Sequence, residues 1–216
     1  MAANVYRTMT QRKTITVVDY GMGNLWSVIS AFRFLGFSPH ISSDPIEIST
    51  AENLILPGVG AFPLAMKTLR ERGIDIAIKK AAENRNTRIL GICLGMQLLG
   101  ATSTEGGQVI GLGLIPGVVT KFNQSKNKPI KVPHVGFNLV RRPKNSRLFV
   151  NLPDMADFYF VHSYRMLAEG LDGHVATCVH GDQFAAAYEN DNIFATQFHP
   201  EKSQTNGLAL LQNFLR

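Results

Sequence analysis

The sequence predicts an α/β protein in which a central, mostly parallel sheet carries helices on both faces and gains antiparallel strands in its second half. Three observations carry that expectation. Up to about residue 115, short continuous apolar runs alternate with segments of helical periodicity, the order that parallel βαβ connections impose. Glycine stands at the joins between those runs and the helical segments, where the chain must turn sharply. Beyond residue 115, strand-like runs at 117–121, 157–162, 174–179, 184–188 and 193–198 follow one another, with little helical pattern before 207–215.

The elements follow in order. Residues 1–12 are polar, mildly basic and non-periodic, and read as a flexible extension ahead of one domain spanning 13–216. Ile15-Thr16-Val17-Val18 is a β-branched strand; a glycine turn follows, then Leu25, Val28, Ile29, Phe32 and Leu35 at helical spacing, stopped by Gly36. The order recurs where Asn53-Leu54-Ile55-Leu56 precedes a Pro-Gly turn and a periodic segment from Ala61. It recurs again where Arg88-Ile89-Leu90-Gly91-Ile92 precedes a segment from Leu94. In such sheets ligands bind beyond the carboxyl ends of the strands. The loops at 21–24, 57–60 and 93–97 are therefore expected to meet.

Composition narrows the partners. No apolar run approaches the roughly 18–20 residues of a membrane span, and the N-terminus lacks the apolar core of a secretory signal. A soluble, cytoplasmic protein without a membrane partner is expected. The formal charge is +6, but the basic residues are scattered and only 121–131 concentrates them, which argues against nucleic acid. The two cysteines, Cys93 and Cys178, fit neither a disulfide framework nor zinc spacing.

Three motifs carry chemistry or its imitation. Gly21-Met22-Gly23-Asn24 resembles the start of a dinucleotide fingerprint, yet Trp26 fills the place of the third glycine; the plain reading is a tight turn with Asn24 near a helix N-cap. Gly91-Ile92-Cys93-Leu94-Gly95 has the form of a nucleophile elbow, with cysteine where hydrolases carry serine. There a helix N-terminus favours a thiolate, and the Leu94 N–H points to where an oxyanion forms. A buried, inert cysteine fits the same motif. The remaining group is His199-Pro200-Glu201, a base and its orienting carboxylate at the end of an alternating strand over 193–198. His-x-Glu also suits a metal, but no third ligand accompanies it, so no metal is expected. His162 reads as a core or supporting histidine, and His134, after Pro133, as part of a loop. His40, His174 and His180 have no carboxylate motif around them, and Cys178 reads as packing.

Taken together, the cysteine elbow, the Pro-Gly loop one strand earlier and the distant His-Pro-Glu resemble the class I glutamine amidotransferases. Within that family the chain is similar to the glutaminase subunits of imidazole glycerol phosphate synthases, from about Thr14 onward. The matching stretches are 56–62 (LPGVGAF), 91–99 (GICLGMQLL), 159–164 (YFVHSY) and 197–203 (QFHPEKS). The resemblance implies the flavodoxin-like amidotransferase fold and a Cys93-His199-Glu201 triad. It implies an oxyanion site from Gly58, Val59, Gly60 and Leu94, and contacts from Gln97, Ser163 and Tyr164 to the amino-acid end of L-glutamine. It implies no cofactor. Ammonia would pass to a (β/α)8-barrel cyclase in a heterodimer, with Asn24, Trp26, Phe137 and Lys202 as candidate contacts.

Two stretches depart from the family. Pro133-His134-Val135-Gly136-Phe137-Asn138 has Phe137 where the family carries Trp, and Thr104-Glu105-Gly106-Gly107 is less acidic than usual. These leave the chemistry intact and open a second expectation for the acceptor, a paralogous system that amidates surface-polysaccharide sugars. A non-catalytic interaction subunit is the reading from another class, and it expects a missing triad residue. All three triad residues are present.

Overall fold

The computed structural model describes residues 13–123 and 130–216; the extension expected over 1–12 and most of the basic stretch 121–131 lie outside them. The strands are β1 (Ile15–Val18), β2 (His40–Ser42), β3 (Asn53–Gly58), β4 (Arg88–Cys93), β5 (Gly100–Ser103), β6 (Val109–Ile110) and β7 (Ile115–Lys121). After them come β8 (His134–Arg141), β9 (Met155–His162), β10 (Tyr164–Met166), β11 (His174–His180), β12 (Asp182–Asn190) and β13 (Ile193–Thr196). The helices are α1 (Leu25–Phe34), α2 (Pro45–Ser49), α3 (Phe62–Glu71), α4 (Ile74–Glu83), α5 (Leu94–Leu99) and α6 (Gln204–Phe214).

Nine strands form the main sheet in the order β2-β1-β3-β4-β13-β12-β11-β8-β9. From β2 to β13 neighbours are parallel, and from β13 to β9 they are antiparallel. The apolar runs are continuous because the parallel strands are buried on both faces, and successive side chains feed two different core layers. Ile15, Val17, Ile55, Leu90, Ile92 and Phe194 pack with α1 and α6 on one side. Val18, Leu54, Leu56, Ile89, Ile193 and Ala195 pack with α3, α4 and α5 on the other.

Two expectations are corrected. The run at 117–121 does not extend the main sheet: as β7 it joins a second, four-stranded sheet in the order β10-β7-β5-β6. His134 does not lie in a loop but opens β8, which pairs with β9 along its whole length, from His134 opposite His162 to Arg141 opposite Met155. Ser163 is the single residue between β9 in the large sheet and β10 in the small one. Among the described residues, no helix is long and apolar enough to cross a membrane.

Candidate active site

Cys93 closes β4 and caps α5 with φ +55° and ψ −108°, a sparsely populated backbone for a residue with a side chain. Its neighbours permit the turn. A Cβ at Gly95 would overlap the Leu56 carbonyl oxygen of β3, and one at Gly91 would come within 2.8 Å of the Gly95 carbonyl carbon. Helix and strands therefore approach at van der Waals distance, and the thiol is lifted to the sheet's carboxyl edge.

His199 follows β13, the strand beside β4. Its backbone is tied twice: its N–H donates to the Tyr159 carbonyl at 2.8 Å, and its carbonyl accepts from Ser203 Oγ at 2.6 Å. Nδ1–H donates to Glu201 Oε1 at 2.7 Å, leaving Nε2 for the cysteine side. Burial opposes a charged ring here, but hydrogen bonding and negative charge from the Cys93 sulfur and the Glu201 carboxylate outweigh it and raise the pKa from 6.5 to about 10. Nε2 itself has no aligned hydrogen bond. Contacts of this kind tighten when substrate binds.

The ring is therefore expected to stay protonated through pH 8, visible in its ¹⁵N imidazole resonances, and to titrate lower in Glu201→Gln. A neutral ring at pH 7 would remove the ion pair from the mechanism. By linkage, the raised pKa contributes stability that is fully present below about pH 6.5 and is lost as pH rises through about 10.

The thiol opens into a cleft of about 340 Å³ lined by Val59, Gly60, Leu94, Gln97, Ser163 and Tyr164, among others. These six expected residues thus share one space with Cys93. Gly58 lies just behind, paired with Cys93 across β3 and β4. Two further residues had no role in the sequence reading. Gln197 is fully buried; its Nε2 lies 3.8 Å from Cys93 Sγ, and its Oε1 accepts from Gln97 Nε2 at 2.9 Å. Its only signal was an amide inside an otherwise apolar strand end. Glu105 lines the cleft and accepts from the Phe62 N–H at 2.9 Å, capping α3 from a glycine-flanked loop that shows no pattern.

The family profile described as "Glutamine amidotransferase class-I" matches residues 16–216. The chain belongs to that family. Among curated relatives, the amidotransferase is 48% identical to the imidazole glycerol phosphate synthase subunit HisH of Moorella thermoacetica, over 94% of both chains. It is 43% identical to the protein of the same name from Geobacter sulfurreducens, over 93% of this chain and 97% of the other. Its fold is that of PurLQS from Thermotoga maritima, with TM-score 0.70, 23% identity and coverage of 94% of this chain and 98% of the other.

The three loops of the amidotransferase do meet. Asn24 caps α1, accepting from the Ser27 N–H at 3.4 Å. It shares with Pro57, Gly58, Val59, His199 and Glu201 a crevice of about 10 Å³, the size of one water. Phe137 lies edge-on to Tyr159 at 5.6 Å, and Lys202 Nζ stands 5.9 Å over the same ring. Trp26 is exposed in a groove of α1 that also reaches Glu201. Cys178 is buried in β11 and its thiol is pushed up to about 12 by burial, which suits packing.

Proposed function

We propose that this chain is the glutaminase subunit of an imidazole glycerol phosphate synthase. The observation that carries the proposal is the Glu201–His199 hydrogen bond together with the strained Cys93 that lines the cleft, in a chain that is nearly half identical to HisH subunits. Residues 13–216 act as one amidotransferase domain in the cytoplasm.

Cys93 Sγ attacks the side-chain amide carbon of glutamine, and the carbonyl π electrons move to oxygen. The N–H groups of Leu94 and of the 58–60 loop hold that oxyanion. His199 gives its Nε2 proton to the leaving nitrogen; the C–N bond breaks and ammonia departs, leaving a glutamyl thioester. His199 then takes a proton from water, which attacks the thioester, and glutamate and the thiol are released. Gln97, Ser163 and Tyr164 hold the amino-acid end, and the Glu105 carboxylate in the cleft suits the α-ammonium.

The crevice from His199 to Asn24 suits ammonia in size, and Asn24, Trp26, Phe137 and Lys202 are the candidate contacts on the docking face. On that face Val135, Phe137 and Leu139 of β8 are 51%, 47% and 52% exposed, an apolar row turned outward. Here we place a (β/α)8-barrel cyclase as heterodimer partner. It would use the ammonia to form imidazole glycerol phosphate and an aminoimidazole carboxamide ribonucleotide.

The isolated chain is expected to turn over glutamine slowly and to be activated by the cyclase carrying its ligand. Val59 disfavours the peptide orientation that would aim its N–H at the oxyanion, so docking must shift that population. Equal glutamine turnover with and without the cyclase would refute this. Growth of a histidine auxotroph lacking its own glutaminase subunit, with this chain at native expression, tests the pathway. Failure to grow with soluble, glutaminase-competent protein would favour the polysaccharide-linked acceptor, which the departures at Phe137 and 104–107 support.

A further inference from the structure

Three histidines that the triad does not use gather beside it, and one of them, His162, lines the same cleft as Cys93. His134 at the start of β8 stacks on His180 at the end of β11, with centroids 4.1 Å apart, and both pack against Phe122. His134 Nδ1 lies 3.0 Å from His162 Nε2, and His162 Nδ1 lies 2.8 Å from the Tyr164 carbonyl oxygen. That carbonyl can only accept, so His162 carries its proton on Nδ1 and presents a lone pair at Nε2. His134 must then donate from Nδ1, which makes its Nε2 the acceptor for Asn138 Nδ2 at 3.2 Å. Asn138 is itself fixed, accepting from the Leu139 N–H at 2.8 Å and donating to the Val179 carbonyl at 3.1 Å.

Every donor and acceptor from Asn138 to Tyr164 is thereby assigned, and both rings are neutral. A proton added to either ring would set N–H against N–H. The surroundings agree. Burial, opposed by the Tyr164 carbonyl and joined by the nearby His134, His180 and His199, holds His162 at about 3. Burial and His180 hold His134 at about 4. The Arg165 guanidinium stands 5.1 Å over the Phe122 ring and, being a cation, offers no counter-charge to a protonated imidazole.

The far end of this chain is the glutamine site. The Tyr164 carbonyl also accepts from Gln97 Nε2 at 3.0 Å, and Gln97 reaches Gln197 and through it Cys93. Ser163, between the two bonded residues, is where the backbone leaves one sheet for the other. Between the two ladders the corner's own backbone is held by one hydrogen bond, from the Phe122 N–H to the Ser163 carbonyl at 3.2 Å.

We propose that His134 and His162 are positioning residues: a neutral strut of two imidazoles that fixes the 162–164 corner, and with it Gln97, for binding of an α-amino acid amide. They carry no proton in the reaction. The proposal rests on the reading that the cleft takes glutamine.

The test compares His134→Leu, which removes the donor, with His134→Asn, whose amide nitrogen can take the place of Nδ1, each in the complex with the cyclase. In His134→Leu, KM for glutamine rises about tenfold while kcat stays within about threefold, the order expected for one unpaired buried group. His134→Asn restores KM. Any other division, including unchanged KM or a loss confined to kcat, overturns the strut.

Should His134→Leu not fold, ¹⁵N imidazole spectra of the unmodified protein decide. Both rings must show the neutral Nδ1–H tautomer from pH 5 to 8, and an Nε2–H tautomer or a protonated ring at pH 6 in either refutes the proposal. Gln97→Ala separates the two readings: if it also leaves KM unchanged, the cleft assignment has failed, and if it alone raises KM, only the strut has.

Discussion

Cys93→Ala abolishes glutamine hydrolysis, by roughly 10⁴–10⁶-fold, the order found when a nucleophile is removed from a working triad. Without sulfur no thioester forms, and water positioned by His199 alone has no covalent route. The same variant, docked on the cyclase, keeps synthesis from added ammonium salts, because the second reaction needs only ammonia. Its thermal midpoint stays within about 4 °C of the parent, the shift that about 1 kcal/mol produces in a chain of this size. Retained glutaminase activity would remove Cys93 from the nucleophile's role. His199→Asn is the companion measurement, with an expected loss of about 10²–10⁴-fold. Nor does His162 offer a substitute base: both its nitrogens are engaged and burial keeps it neutral.

Gly95→Ala is expected to have the largest effect on stability. The added methyl would occupy the position of the Leu56 carbonyl oxygen, and neither partner is a flexible side chain tip. Either α5 lifts from β3 or the strand end gives way, at a cost of about 3 kcal/mol. That corresponds to a fall of roughly 6–12 °C in thermal midpoint. Because β3 leads into the 58–60 loop and α5 carries Leu94, glutamine turnover should fall with stability. An unchanged midpoint would mean that the helix and strand are looser than their contact implies.

The parallel half of the fold was legible in the sequence because burial on both faces writes itself as unbroken apolar runs, from Ile15 to Ile92. Glycines 91 and 95 marked the elbow, since only a crossing at backbone contact distance needs both. The antiparallel edge was harder. In β8 the buried position at its start is polar, His134, while the apolar Val135, Phe137 and Leu139 face outward, so the usual alternation is inverted. The small sheet left almost no trace, because β5 is made of Gly100, Ala101, Thr102 and Ser103, and β6 is two residues long. Gln197 and Glu105 acquire meaning only when folding carries them to Cys93 and to the α3 N-terminus. The histidine strut joins residues from two strands and a corner, and no local spacing announces it.

The backbone of Cys93 has a further consequence, for descent. A side chain held at φ +55° costs of order 1–3 kcal/mol, and glycine would relieve most of it. As long as the thiol is needed, selection holds the chain at that expense. A gene copy released from glutamine hydrolysis but retained for its docking face faces the opposite pressure, and drift toward glycine at this position raises stability from the first step. Loss of the nucleophile in such lineages is thus driven as well as permitted, and a glycine at the elbow's apex is the mark by which a retired copy of this protein would be recognised.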